Sequence, residues 1–103
     1  MVGVEVHIRL KKEKRHEFLQ AVQFCTLKCK NISECRDQML YEHVFEEGRF
    51  LWVEYWGTRE ALESHLASDS FRALLGAADV LGQMETGWLA EFKQMPDKMV
   101  KIT

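Results

Sequence analysis

The sequence predicts an α+β chain of order β-α-β-β-α-β, the ferredoxin-like arrangement, with an antiparallel four-stranded sheet and a broken second helix. Three observations carry this. The stretch "VGVEVHIRL" puts Val2, Val4, Val6, Ile8 and Leu10 on one face and Glu5, His7 and Arg9 on the other. That period of two is a strand with one apolar face. Phe18, Val22, Cys25 and Cys29 then recur at helical spacing with Ala21 alongside, so an amphipathic helix follows. Finally "FLWVEYW" is a β-rich run behind a Glu-Glu-Gly turn, which suits the closing strand of a hairpin.

The remaining elements follow in order. The first helix is expected from Glu13 to about Lys30, with "NISE" as a loop. A second strand runs from about Arg36 to Glu46 and a third from Arg49 to Trp56, with Gly48 supplying a positive φ between them. Thr58 is a plausible N-cap for a helix ending at Leu66. Ser68 or Asp69 can cap another, in which Phe71, Leu74, Leu75, Ala78 and Leu81 form an apolar stripe. "METGWLAEFKQM" reads as the last strand and stops at the only proline, Pro96. The whole chain, 1–103, is one domain, with a core over about 2–95 and an unassigned tail at 96–103.

Composition narrows the function classes. The chain has 103 residues, 47% apolar and 29% charged, with net charge −2, a globular mixture. Such a charge offers no electrostatic case for nucleic acid or an anionic membrane. No stretch is apolar enough to span a bilayer, and the alternating N-terminus is unlike a signal peptide. Three cysteines, Cys25, Cys29 and Cys35, are an odd set that does not suit a secreted disulfide framework. A cytoplasmic protein is the expectation.

The third strand is apolar on both faces: Phe50, Trp52 and Trp56 on one, Leu51, Val53 and Tyr55 on the other. A strand of that kind is covered twice. Two helices cover one face of a four-stranded sheet, so the simplest second cover is another copy of the chain. A homodimer is expected.

The stretch "FLWVEYWGTREALESHLASDSFRALL" resembles the signature of the antibiotic biosynthesis monooxygenase (ABM) domain family. In that family a Glu-x-Trp ends the third strand, a helix carries Ala-Leu-x-x-His, and a Phe follows a short break. The matching positions are Glu54, Trp56, Ala61, Leu62, His65 and Phe71. The resemblance implies a dimeric α+β barrel in which two four-stranded sheets face each other. Its members include cofactor-free oxygenases of phenols, quinol monooxygenases, haem-degrading enzymes and an isomerase, so the fold alone does not fix the reaction. Ser70 stands where many members have a second histidine, and Gln38 where many have a tyrosine. The Asn, Trp and His of the haem-degrading branch correspond to Val6, His65 and Leu75, which disfavours haem chemistry.

Two readings of His65 are open. It can be a helix-end residue whose ring caps a carbonyl and meets the helix dipole; removing a helix-end histidine, even one that acts as a base, is expected to cost only about 0.3–1 kcal/mol. It can also be a general base, since imidazole titrates near neutral pH. Trp52 and Trp56 can form the walls of an aromatic site, closed on the helix side by Phe71, or they can be core. Glu54 lies among apolar neighbours and needs a partner, for which Arg9 is the candidate. The Cys25–Cys29 pair lacks the further ligands of a zinc site, so no metal is expected. There is no Gly-rich phosphate loop, G-x-S-x-G or Walker motif, and no flavin or nicotinamide site is expected either. An oxygenase without a cofactor must take its electrons from the substrate, and a quinol or polycyclic phenol can supply them once deprotonated. The expected activity is therefore cofactor-independent monooxygenation of a small aromatic quinol or phenol. An isomerase of a small keto or phosphorylated metabolite and a non-catalytic dimeric binding or stress-response protein are the alternatives.

Overall fold

A computed structural model describes residues 1–29 and 32–96. Strand β1 spans Val2–Leu10, and a single 3-10 turn at Lys12–Lys14 leads into helix α1, Arg15–Cys29. Strands β2, Cys35–Glu42, and β3, Arg49–Trp56, form a hairpin. Helices α2, Arg59–Leu66, and α3, Asp69–Leu81, are the two pieces of the broken second helix, and β4, Gly82–Glu91, completes the chain. The sheet is antiparallel with strand order β2-β3-β1-β4. This is the ferredoxin-like order the sequence predicts, and β3 has the predicted bounds.

Local chemistry explains the joints. Thr58 Oγ1 accepts from the Ala61 N–H and Ser68 Oγ from the Phe71 N–H, so both helices start on side-chain caps. Gly48 has φ of 86°, a conformation that a side chain would strain, and its carbonyl accepts from the Leu10 N–H. Strand β2 stops at Glu42, four residues short of the expected Glu46. Val44 and Phe45 look like strand residues but are 87% and 90% exposed in a loop, so local apolarity misleads there. The α-helix begins at Arg15 rather than Glu13 because the first turn is wound 3-10.

Side-chain parity assigns the two faces of the sheet. Val4, Val6, Ile8, Leu10, Phe50, Trp52 and Trp56 share one core with Phe18, Val22 and Cys25 of α1, Leu62 of α2, and Phe71, Leu74 and Ala78 of α3. The other face carries Glu5, His7 and Arg9 opposite Val53, Leu51 and Arg49, with Met39 and Tyr41 of β2 and Trp88 of β4 in the same rows. Tyr41 and Trp88 are more than half exposed there. Among the described residues no helix is long and apolar enough to cross a membrane. The expected tail beyond Pro96 and the side chain of Cys29 lie outside the described residues.

Candidate functional site

Glu54 is the third residue of the helix-side row of β3, after Phe50 and Trp52, and it is fully buried. Parity places it opposite Val4 and Gln38, on the face away from Arg9. The expected Arg9–Glu54 pair is therefore absent: Arg9 bonds to Glu46 and Glu85 on the other side of the sheet. The partner of Glu54 is His65, in the last turn of α2. Its Nε2 lies 2.8 Å from Oε1 and 3.1 Å from Oε2 of the carboxylate. The ring reaches inward to this carboxylate rather than capping a helix carbonyl.

Three further donors complete the cage. Trp52 Nε1–H donates to Oε2 at 2.7 Å, Trp56 Nε1–H to Oε1 at 3.1 Å, and the Gln38 side-chain amide to Oε1 at 3.0 Å. Among the described residues no buried side-chain polar atom lacks a hydrogen-bond partner. Burial pushes the Glu54 carboxyl up, but the hydrogen bonds from His65, Gln38 and Trp52 outweigh it and hold the group below the usual carboxylate range. An ionised carboxylate only accepts, so the Nε2 that faces it is a ring nitrogen that carries hydrogen.

Aromatic rings hold the imidazole in place. Trp56 stacks on it, with centroids 4.6 Å apart and planes 29° apart. Phe71 meets it edge-on at 5.3 Å and 63°. Trp52, Trp56, His65 and Phe71, the residues singled out from the sequence, thus come together, and Glu54 and Gln38 join them. Around Glu54 the packing of Cys25, Gln38, Trp52, Ser70 and Phe71 leaves no space for a water. Beside it, a cavity of ≈ 270 Å³ opens against His65, lined also by Glu34, Trp56, Ala61, Ser64 and Ser70. A second cavity of ≈ 250 Å³ between α2 and the end of β4 holds none of these groups. The first is the candidate site because it alone of the two reaches the histidine.

Such an arrangement can hold an imidazolium against a buried carboxylate at the edge of the ≈ 270 Å³ cavity. Among the described residues no cluster of His, Cys, Asp or Glu could hold a metal ion. Gln38 was visible in the sequence only as a departure from the family's tyrosine, and its link to Glu54 depends on strand register.

The fold and this site define a small α+β domain with a buried Glu–His pair. The chain belongs to the antibiotic biosynthesis monooxygenase family, whose model matches residues 1–76. No curated protein matches it in sequence. Solved structures share the fold at low identity. A conserved protein from Methanosarcina mazei Go1 is 19% identical with a TM-score of 0.80, the match covering 89% of this chain and 92% of that one. A protein described as an antibiotic biosynthesis monooxygenase is 22% identical, TM-score 0.75, with 93% and 100% covered. SnoaB, a cofactor-independent oxygenase from Streptomyces nogalater, is 14% identical, TM-score 0.79, with 93% and 96% covered.

Proposed function

We propose that this protein is a cofactor-independent monooxygenase that oxidises a small aromatic quinol or phenol with dioxygen, using His65 as general base. The observation that carries the reading is the Glu54–His65 pair, sealed on one side and open to a cavity on the other. Family membership and the likeness to SnoaB support an oxygenase, and the sequence lacks the motifs of flavin or nicotinamide binding. Trp56 offers an aromatic wall to a flat substrate. Phe71 meets the imidazole edge-on, and with Trp52 it keeps water from Glu54.

In this reading Nδ1 of His65 takes the phenolic proton of the bound substrate, and Glu54 stabilises the imidazolium. The phenolate gives one electron to dioxygen, leaving a substrate radical and superoxide. These combine into a carbon-bound peroxide, and the proton on His65 returns to it. The O–O bond then breaks as the carbon loses its hydrogen, giving a carbonyl and water. Overall two substrate hydrogens are replaced by one oxygen atom, and the other oxygen leaves as water. The protein supplies a base, a fixed counter-charge and a dry wall.

The unit that works is proposed to be a homodimer, its two sheets packed through the face that bears Trp88, Tyr41, Leu51 and Val53. Oxygen uptake by metal-free protein with a reduced naphthoquinone tests the activity. Uptake above autoxidation is expected, and its absence across a broad quinol and phenol panel would reject the reading.

A further inference from the structure

We infer that Gln38 is a positioning residue for His65: by donating to Oε1 of Glu54 it fixes how the carboxylate holds the imidazole. The inference rests on the reading of His65 as the base. Its geometry comes from a β-bulge. Cys35 pairs with Trp56, but Asp37 pairs with Tyr55, so Arg36 is an extra residue in β2. Without it, regular alternation would set Asp37 opposite Glu54, two carboxylates on one buried face. With it, Gln38 faces Glu54 across the strands, and Asp37 turns to the other face, where its Oδ1 accepts from the Gln38 backbone N–H at 2.9 Å. The bulge thus replaces a charge conflict with a neutral donor.

Orientation of the amide is fixed by chemistry, since an ionised carboxylate only accepts and the NH₂ end must face it. The load on the two oxygens is uneven. Oε1 receives Gln38 at 3.0 Å, Trp56 at 3.1 Å and His65 at 2.8 Å. Oε2 receives Trp52 at 2.7 Å and His65 at 3.1 Å. The two indoles are locked in the core, so Gln38 is the donor a half-buried side chain supplies from another strand. Removing it concentrates the carboxylate's charge on the Nε2–H of His65. Among the described residues, the other titratable groups near the imidazole are the Cys25 thiol of α1 beside Glu54 and the Glu34 carboxylate lining the cavity. Neither is altered by a change at Gln38.

Gln38→Met keeps the length and removes the donor, and Gln38→Glu replaces the donor by a second carboxylate. The readouts are the carboxyl-carbon NMR titration of Glu54 and the Nε2–H proton resonance of His65, with folding checked by circular dichroism. In Gln38→Met the Glu54 midpoint should rise by about one pH unit, the scale of one lost hydrogen bond to a charged group, and the Nε2–H should move downfield. In Gln38→Glu the rise should be larger, as two carboxylates then share a proton. Oxygen uptake should lose kcat by about 3–10-fold in Gln38→Met with KM unchanged, because the substrate does not touch this amide. A folded Gln38→Met with both resonances as in wild type overturns the inference; should that variant not fold, the Glu54 midpoint in Gln38→Glu decides in the same way. Failure of the oxygenase reading looks different: wild type consumes no oxygen while both resonances still respond.

Discussion

Nε2 of His65 sits 2.8 Å from Oε1 of Glu54, with both side chains almost wholly withdrawn from solvent. The pair is formed by a strand and the helix that follows it, eleven positions apart in sequence. Trp56 and the short Gly57–Thr58 connection lie between the two groups, and Trp56 both donates to the carboxylate and stacks on the imidazole.

His65 is both the proposed base and a donor to Glu54. Replacing it with Ala should lower the rate of quinol oxidation by roughly 10²–10⁴, the usual yield of general-base catalysis. The stability cost should exceed the 0.3–1 kcal/mol expected of a helix-end residue. It should reach about 2–4 kcal/mol, because a packed ring is lost and Glu54 loses a donor. His65→Gln separates the two effects. It retains an N–H for Glu54 and should recover much of the stability, seen in urea melts, without the rate. Full activity in His65→Ala would make the residue structural.

Glu54 should leave a signature in the pH dependence of stability. Its folded-state pKa is lowered from the model-compound value of 4.5. The group therefore stabilises the fold fully above the unfolded value and loses that contribution as pH falls from there through the folded value. Urea midpoints should decline as pH drops below about 4.5, the unfolded-state reference. Glu54→Gln should cost about 1–3 kcal/mol at neutral pH, since an amide cannot accept from every donor in the cage. That variant should also show a shallower acid decline; an identical slope would mean other carboxylates carry it.

How much of this was legible follows from where each signal resides. Faultless alternation in Val2 to Leu10 specified β1, and Thr58 and Ser68 announced two helix starts through side chains that bond their own backbone. The Glu54–His65 pair was hidden because contact between a strand and a helix depends on how they pack. Even so, period two held a clue against Arg9. Glu54 shares parity with Phe50, Trp52 and Trp56, while Arg9 shares parity with Glu5 and His7 on the polar face of β1. Gln38 was beyond reach, since a one-residue bulge decides which side chain faces Glu54 and nothing local in "CRDQ" marks it.

Catalysis should be indifferent to metal removal. The site residues are a carboxylate already bonded to four side chains and an imidazole committed to it through Nε2. A divalent ion at Glu54 would have to displace the indole donors from a space with no room for water. Exhaustive dialysis against a chelator should leave the oxygen-uptake rate within error of the untreated protein. A loss restored by one specific metal would move the chemistry away from the Glu54–His65 pair.

The open face of the sheet should be covered by a second copy of the chain. Trp88 is 59% and Tyr41 51% exposed there, beside Leu51 and Val53 at the sheet centre. Stable interfaces place aromatic residues at their core and exclude water from them. Light scattering at micromolar concentration should give twice the 12.1 kDa chain mass. Trp88→Lys should weaken the dimer, because it sets an ammonium where an apolar contact is expected, and truncating a buried aromatic anchor typically costs about 2 kcal/mol or more of binding. The same change should barely alter the fold of a single chain, in which Trp88 is already exposed to water. A wild-type monomer at that concentration would reject the dimer, and an unchanged dimer in Trp88→Lys would place the interface on another face.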